Sequence, residues 1–388
     1  MLSLLLCVAG TAITLQAEEL PSKAERERPK LSDEARQVAD ELQKSLQPGT
    51  EARAMLDCIL EGTRMAPDEG WFRLAKSQSR YGWSTVQELL DSNDDQRVTR
   101  KEFSGTEEEF SRLDRDSNGI LTEGDFAWSD SSTTRTPGYL MFFQADRNAN
   151  GKITADEFAE LFDSLDTSKH GYLSLDDLRS EFIPPTEQER RASGGGPDMS
   201  TLVLGLKRQE IGSLQSGPEL GAQAPDFTLT SLSGETVTLS KEIGKKPVVL
   251  IFGNFTCGPF RSQSGNIEKL YLRYRDRAKF FLVYVREAHP ADGWSMSSNE
   301  RAGIDVFQPQ NNESRRHVAE TCRERLDLDI PMLVDSVDDA VGATYSGMPN
   351  RLYLIDESGQ IAFKNGRGPF GFHPRQLEQA LILHLMTT

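Results

Sequence analysis

Cys257 is the residue of this sequence whose type and position most clearly predict chemistry. It lies in "VVLIFGNFTCGPFRSQ" (248–263), where a predicted buried strand runs into a predicted helix. Unpaired backbone N–H groups and the helix dipole lower the pKa of a thiol at such a place. Phe260 occupies the position of the second cysteine in a C-x-x-C pair. The sequence therefore predicts a monothiol redox site, with an inert buried cysteine as the structural alternative.

A second chemical pattern consists of four acidic segments between residues 91 and 177. Ca²⁺ is bound by 12-residue loops that supply oxygens from positions 1, 3, 5, 7, 9 and 12, with Gly at position 6. The segment "DRNANGKITADE" (146–157) fits this pattern fully, with Thr154 at position 9. The expected ligands of the four loops, those at position 7 acting through their carbonyl oxygens, are Asp91, Asn93, Asp95, Arg97, Glu102, Asp114, Asp116, Asn118, Ile120, Asp125, Asp146, Asn148, Asn150, Lys152, Glu157, Asp166, Ser168, His170, Tyr172 and Asp177.

The other three loops depart from the pattern. Gln96 replaces the turn glycine of the first loop, and Asp125 ends the second loop with a shorter side chain that favours Mg²⁺ or weaker binding. The fourth loop has His170 at position 5 and Asp177 at position 12. For His170 a distorted ligand and an exposed non-ligating side chain both stay open. The spacing indicates two pairs, 91–125 and 146–177, which resemble EF-hands.

The acidic charge of the chain favours the binding of metal cations. The net charge is −16, and between residues 85 and 180 there are 21 acidic residues against 10 basic ones. Such a surface repels phosphate backbones, so nucleic acid is not expected as a partner.

The 388 residues predict several domains. The opening "MLSLLLCVAGTAITLQAEE" reads as a signal peptide (1–17), which predicts export to the periplasm or the extracellular space. A retained N-terminal anchor and a buried core helix are the alternatives. No internal apolar run is long enough for a transmembrane helix. A charged spacer and helical region (18–84), an all-α EF-hand region (85–182) and a linker (183–216) follow.

From residue 217 to 388 short apolar runs alternate with helical stretches. "APDFTLTSL" with "ETVTLS" and "RLYLID" with "IAFKN" predict hairpins, and "PVVLIFGNF" and "AKFFLVYV" predict buried strands. This alternation predicts an α/β sheet flanked by helices.

Several motifs of this region together resemble one family. "FGNFTCGPF", "FFLVYVREAHPADGW" (280–294), "RLYLID" and "GRGPFG" (366–371) are similar, in order and spacing, to the iodothyronine deiodinases. The resemblance implies a thioredoxin-like fold and a thyroxine 5'-deiodinase type of activity. The family uses selenocysteine at the position that Cys257 occupies in this sequence. The resemblance makes Cys257 the nucleophile that attacks iodine or another soft electrophile, while Glu287 and His289 supply protons to the departing carbon.

Three further residues have candidate roles because of their positions in the sequence. Cys322 is a candidate resolving thiol or a core-facing cysteine, and Trp294 either forms a wall of the substrate cleft or packs. Pro349 matches the cis-proline of the fold and would shape the cleft.

Departures from the family pattern leave the substrate open. Sulfur replaces selenium, Phe255 stands where some members carry an auxiliary cysteine, and Asn311 stands where vertebrate enzymes have a second histidine. The sequence therefore predicts an exported, Ca²⁺-binding thiol oxidoreductase that acts on a small electrophile with a thiol reductant. A one-cysteine peroxidase, and a calcium-dependent binding or scaffold protein with a non-catalytic thioredoxin fold, are the alternatives.

Overall fold

The computed structural model describes residues 31–62, 76–128, 137–183, 197–369 and 371–387. The predicted signal peptide at 1–17 lies outside these residues. No helix within the described ranges combines the length and the apolar character that crossing a membrane requires.

The N-terminal half is mainly helical. Its elements are α1 (Asp33–Ser45), α2 (Glu51–Leu60), β1 (Gln78–Ser79), α3 (Trp83–Leu90), β2 (Val98–Thr99), α4 (Glu107–Leu113), β3 (Ile120–Leu121), α5 (Glu123–Phe126), α6 (Pro137–Ala145), α7 (Ala155–Leu165), α8 (Leu175–Glu181) and α9 (Met199–Lys207).

The C-terminal half alternates strands and helices. Its elements are β4 (Thr228–Ser231), β5 (Thr236–Thr238), α10 (Leu239–Glu242), β6 (Val248–Gly253), α11 (Gly258–Tyr274), β7 (Lys279–Tyr284), α12 (Ser297–Arg301), α13 (Asn312–Leu326), β8 (Met332–Val334), α14 (Ala340–Thr344), β9 (Arg351–Ile355), β10 (Ile361–Lys364) and α15 (Pro374–Thr387).

One sheet organises the C-terminal half, with the strand order β1-β10-β9-β6-β7-β8-β4-β5. Strands β6, β7 and β8 run parallel, and β9 runs antiparallel to β6 and β10. The order β7-β6-β9-β10, with α11 after β6 and α15 after β10, is the thioredoxin-like arrangement. The predicted α/β fold of this region, with both of its hairpins, is confirmed.

Strand β6 is buried on both faces because the sheet has a core on each side. Val249 and Ile251 face the core that also holds α11, α13 and α15, whereas Val248, Leu250 and Phe252 face the second core. This alternation is the period of two that a strand imposes on its side chains.

The region predicted to hold the first loop pair packs on the main core. Phe103, Phe110 and Leu121 belong to the same apolar cluster as Cys257 and α11. β1 also pairs with β10, so residues 78 and 79 extend the C-terminal sheet. The predicted boundary at residue 217 therefore does not separate two independent cores.

The segment predicted as a linker, 183–216, differs from the prediction. It contains α9, whose buried Leu202, Val203 and Leu206 pack with α1 and α2. Asp198 caps this helix by accepting hydrogen bonds from the backbone N–H groups of the first turn. The apolar run of this helix needs a partner, and α1 and α2 provide it. Residues 184–196 of the linker lie outside the described residues.

Candidate active site and cation loops

Cys257 lies where the sequence predicts it, between the end of β6 and the start of α11, as the residue that caps the helix. Its side chain is 1% exposed, and the amide nitrogen Nδ2 of Asn350 lies 3.1 Å from its Sγ. Burial raises the pKa of the Cys257 thiol to about 11, against the opposing effects of the Phe260 N–H group, Arg261 and Asn350. The expected lowering of this pKa is therefore wrong: desolvation outweighs the helix N-terminus.

Glu287 is fully buried three residues beyond the end of β7. Its Oε2 accepts from the Thr256 N–H at 2.9 Å, and its Oε1 accepts from the Tyr284 hydroxyl. Burial raises the pKa of the Glu287 carboxyl above its ordinary value, although both hydrogen bonds act in the opposite direction. Gln308 fixes the backbone of Glu287 through two hydrogen bonds of 3.0 and 3.1 Å. The site therefore holds a carboxyl that retains its proton to higher pH than an exposed one.

The surroundings of His289 do not favour its predicted role as a proton donor. Its Nδ1 lies 3.1 Å from the Trp294 carbonyl oxygen, and its ring meets the Trp294 ring edge to face at 4.7 Å. Because a carbonyl only accepts, Nδ1 carries the proton and Nε2 keeps its lone pair. Burial lowers the pKa of His289 to about 4. His289 is thus a neutral imidazole at neutral pH, and Trp294 packs against it.

Thr256 and Asn254 connect these groups to each other. The Thr256 hydroxyl donates to Asn254 Oδ1 at 3.2 Å and accepts from the His289 N–H at 3.0 Å. Asn254 in turn donates to the carbonyl of Pro349, which follows a cis peptide bond as predicted. The quoted motif contains both residues, but the sequence prediction assigned no role to either of them.

Arg261 is a second group that sequence reasoning missed. Arg261 lies in the first turn of α11, and its buried guanidinium donates to the Phe255 carbonyl at 2.6 Å and to Asn299 Oδ1 at 2.7 Å. It is close enough to Cys257, Cys322 and Glu287 to interact with their charges. A positive charge buried among two thiols and a carboxyl favours their ionised forms.

Cys322 lies on α13, fully buried in the same apolar cluster as Cys257. Both are thiols without a disulfide, and burial raises the pKa of Cys322 well above its ordinary value. The environment favours the core-facing interpretation, and the resolving role stays a prediction.

A surface cleft of about 460 Å³ lies between residues 305–311 and α13. Its lining includes Phe307, Gln308, Asn311 and His317. Asn311 caps α13, and its Oδ1 accepts from the Ser314 N–H at 2.9 Å. Gln308 joins this cleft to Glu287.

The four acidic loops share one backbone conformation. In each, both carboxylate oxygens of the residue at position 1 accept backbone N–H groups from positions 5 and 6. Position 6 has a positive φ in all four, including Gln96 at 61°. β2 and β3 join the first and second loops as an antiparallel pair. In the first three loops the side-chain oxygens at positions 3 and 5 likewise accept backbone N–H groups from within the loop.

Two observations test whether these loops fit a cation. In the third loop Glu157 Oε1 is buried and has no hydrogen-bond partner in the described residues, while Glu157 Oε2 accepts from Thr154. In the second loop the carboxylate oxygens of Asp114, Asp116 and Asp125 lie within 4.8 Å of one another. The fourth loop is the most open: Asp177 bonds Ser174, and His170 Nδ1 lies 2.6 Å from Ser168 Oγ. The second and third loops therefore fit a hard cation best.

Comparisons with known proteins point to one family for residues 198–383. A family model described as iodothyronine deiodinase matches residues 198–383. Thyroxine 5-deiodinase of Gallus gallus is 31% identical over 210 residues, which are 50% of this chain and 80% of that protein. Type I iodothyronine deiodinase of Xenopus laevis is 30% identical over 159 residues (41% and 61%), and human type II is 31% identical over 139 residues (35% and 50%).

Solved structures resemble the C-terminal half more distantly. The thioredoxin domain of a thiol-disulfide oxidoreductase from Bacteroides vulgatus is 20% identical, with a TM-score of 0.28 over 39% of this chain and 90% of that one. A secreted Mycobacterium tuberculosis disulfide oxidoreductase is 14% identical, with a TM-score of 0.29 over 40% and 93%. The identity to the Gallus gallus protein, over four-fifths of its length, shows that this chain belongs to the iodothyronine deiodinase family.

Proposed function

We propose that this oxidoreductase reduces a small electrophile through the sulfur of Cys257, with reductive dehalogenation as the specific reaction. The observation that carries the proposal is that the Cys257 thiol and a buried carboxyl belong to the same site. The thiol accepts a hydrogen bond from Asn350, and the carboxyl of Glu287 is hydrogen-bonded to the Tyr284 hydroxyl and the Thr256 N–H. Glu287 is close enough to Cys257 to influence the charge of its sulfur, and a nucleophile with a buried acid beside it is what a displacement at halogen requires.

The reaction balances as a two-electron reduction. The Cys257 thiolate forms a sulfur–halogen bond while the carbon–halogen bond breaks, and the carbon takes up a proton. Glu287 is the proton source, because burial keeps its carboxyl protonated to higher pH. An external thiol then attacks the Cys257 sulfur and releases halide, and a second thiol restores Cys257 and leaves as the disulfide.

The cleft beside Gln308 is the proposed substrate site. Phe307, Pro309 and Val318 offer apolar contact, and Gln308 also touches the backbone of Glu287. Asn311 Oδ1 is already engaged in capping α13, so this residue offers a substrate only its amide donor. These contacts favour a halogenated aromatic ring.

We also propose that the acidic loops bind Ca²⁺ as EF-hands and that the protein is exported. Glu157 Oε1, which has no hydrogen-bond partner in the part of the chain that the structure describes, supports the first proposal, because a bidentate carboxylate at position 12 needs that oxygen for the ion. A bound Ca²⁺ supplies charge that holds the oxygens of positions 1, 3 and 5 together. Export is supported by the apolar opening segment of the sequence.

Halide release from halogenated phenols, with a dithiol as reductant, tests the catalytic proposal. Wild type should release halide and Cys257→Ser should not, whereas Cys322→Ser serves as a matched buried-thiol control that keeps activity if Cys322 is only structural. Faster turnover with peroxide than with any halogenated phenol would favour the one-cysteine peroxidase. Equal rates for wild type and Cys257→Ser would overturn both enzymatic readings and leave the binding protein.

A further inference from the structure

Asn350 places a side-chain amide directly against the sulfur of Cys257. The residue is fully buried between Pro349 and the first residue of β9, and its Nδ2 lies 3.1 Å from Sγ. We propose that the Asn350 amide stabilises the thiolate of Cys257 and is therefore a catalytic residue. The inference rests on the proposed role of Cys257 as the nucleophile.

The chemistry of the amide selects the charged form of the sulfur. An amide nitrogen donates two protons and accepts none, and hydrogen bonds to an ionised acceptor are stronger than those to a neutral one. A thiolate is such an acceptor, whereas a neutral thiol is a weak one. The contact therefore gains strength when Cys257 loses its proton.

The orientation of the amide fits the same role. Asn350 Oδ1 is buried and has no hydrogen-bond partner within the described part of the chain. A rotated amide would place this oxygen against the sulfur, where it would accept from a neutral thiol. Gly368 leaves the space that Oδ1 occupies, because a Cβ on this residue would lie 1.7 Å from it. The site thus leaves Asn350 Oδ1 without a hydrogen-bond partner among the described residues and directs the Nδ2 donor toward the Cys257 sulfur.

The charged groups near Cys257 oppose one another. Arg261, on the same helix, favours the thiolate, whereas Glu287, after β7, disfavours it. Cys322, on α13, faces Arg261 and Glu287 as well. Asn350 is the one side chain among the described residues that donates a hydrogen bond to the sulfur. Removal of the Asn350 amide should therefore lower the reactivity of Cys257 directly.

The pH dependence of Cys257 alkylation, followed by site-resolved mass spectrometry, tests this role. Asn350→Leu removes the donor at similar volume, and Asn350→Asp replaces it with an acceptor. Loss of a hydrogen bond to a charged group should slow alkylation at neutral pH by about 10- to 100-fold. The Asp variant should be slower still.

Asn365→Leu is the matched control. The side chain of this buried amide bonds the Leu352 N–H and the Gly371 carbonyl, and none of its hydrogen bonds in the described part of the chain goes to the sulfur. Its Cys257 profile should equal that of wild type. A folded Asn350→Leu variant with an unchanged Cys257 profile would overturn the inference, and the isosteric Asp variant provides the same test if the Leu variant does not fold. Alkylation needs no substrate, so failure of the dehalogenation proposal stays distinguishable from failure of this one.

A separate observation concerns the third cation loop, which packs on both cysteine-bearing helices. Ser264 on α11 donates to the Asn150 carbonyl at 2.5 Å, and a Cβ on Gly265 would lie 2.5 Å from the Gly151 carbonyl oxygen. Lys152 Nζ contacts the carbonyl and carboxylate of Asp327, the residue that ends α13, at 2.7 and 2.8 Å.

We infer that Ca²⁺ in loop 146–157 is coupled to the reactivity of Cys257. The inference rests on the proposed Ca²⁺ binding. Positions 5 and 7 of the loop are Asn150 and Lys152, so the backbone that an ion would fix is the backbone that touches α11. A Cβ on Gly151 would lie 2.0 Å from the carbonyl oxygen of Arg261, whose guanidinium bonds the Phe255 carbonyl. Backbones in such close contact do not shift independently.

Coupling of this kind is reciprocal, so it has two readouts. Saturating Ca²⁺ should change the alkylation rate of Cys257 by about fivefold or more, and alkylated protein should bind Ca²⁺ with changed affinity. Gly265→Ala pushes a methyl group into the Gly151 carbonyl and should weaken the affinity and reduce the rate change. Asn266→Ala, on the exposed face of the same turn, is the matched control and should alter neither.

Calorimetry separates the possible failures. If loop 146–157 binds no Ca²⁺, the calcium proposal fails together with the coupling. If Ca²⁺ binds in this loop and the alkylation rate of Cys257 stays the same, the coupling alone is overturned.

Discussion

The hydroxyl of Tyr284 lies between the backbone N–H of Phe255 and the carboxylate of Glu287. It accepts from the former at 3.1 Å and donates to the latter. Tyr284 is the last residue of β7, so the sheet itself places the acid beside the loop that carries Cys257. The ionisation of Glu287 therefore depends on contacts that exist only when the protein is folded.

Glu287→Gln should make stability less dependent on pH. Burial raises the pKa of Glu287 above its ordinary value of 4.5, so the folded protein binds a proton that the unfolded chain has lost. The free energy of unfolding should therefore fall as the pH rises from 4.5 through the folded pKa, and glutamine removes this contribution. Each unit by which the pKa is raised corresponds to about 1.4 kcal/mol.

Denaturant unfolding of both proteins at a series of pH values, from below 4.5 upward, measures the effect. The difference between Glu287→Gln and wild type should grow in favour of the variant as the pH rises. A difference that stays constant with pH would show that Glu287 is ionised in the folded state as readily as in the unfolded chain.

Local sequence signals predicted those parts of the site that local geometry determines. The strand-to-helix bend places Cys257, and the alternating acids determine the four loops, because each loop bonds within its own 12 residues. The cis peptide bond before Pro349 is expected from the thioredoxin-like fold. These features need no knowledge of what packs against them.

Burial and long-range contacts determine the rest, and no local pattern reports them. The pKa of Cys257 rises and that of His289 falls because both side chains leave water, which depends on neighbours far along the chain. Asn350 reaches the sulfur across 93 residues. The predicted linker contains α9 because the glycine-rich flank of this segment is the stronger local signal, whereas its apolar run becomes a helix of the core only through contact with α1 and α2.

Glu51→Ala should strongly destabilise the fold. The Glu51 carboxylate, on α2, bonds the guanidinium of Arg351 at 2.6 and 2.8 Å and that of Arg367 at 3.1 Å, and both arginines are fully buried. Removal of the acid leaves two buried positive charges without this partner, a change that costs about 3–5 kcal/mol. Chemical denaturation measures the loss.

Acid titration gives an independent readout of the same carboxylate. Burial alone would raise the pKa of Glu51, but the hydrogen bond and charge of Arg351, with Arg367 and Lys364, hold it at about 2. Its stabilisation is therefore complete above pH 4.5 and is lost as the pH falls toward 2, a loss that Glu51→Gln should lack. The exposed pair of Glu41 with Lys207 is the control: Glu41→Ala should cost less than about 1 kcal/mol.

His289 should titrate near pH 4 in the folded protein, well below an exposed imidazole. Desolvation of the charged ring is the main cause, and the bond from Nδ1 to the Trp294 carbonyl only partly opposes it. NMR of the ring protons measures this value directly, with free histidine in the same buffer as the reference. A His289 midpoint at or above that of free histidine would contradict the neutral assignment and restore an imidazolium acid.

If the loops bind Ca²⁺ as proposed, Glu157→Gln should remove the tightest site, because the third loop combines the complete ligand pattern with a buried carboxylate oxygen that has no hydrogen-bond partner among the described residues. An amide keeps the shape of the side chain but withdraws the charge and one of the two equivalent oxygens, so bidentate binding of the ion is lost. Asp177→Asn makes the same chemical change at position 12 of the fourth loop, where the acid bonds Ser174 and the loop is open to solvent. Calorimetric titration should therefore show the highest-affinity step missing in Glu157→Gln and retained in Asp177→Asn. If both variants keep that step, the second loop, in which the carboxylates of Asp114, Asp116 and Asp125 converge, holds the tightest ion instead.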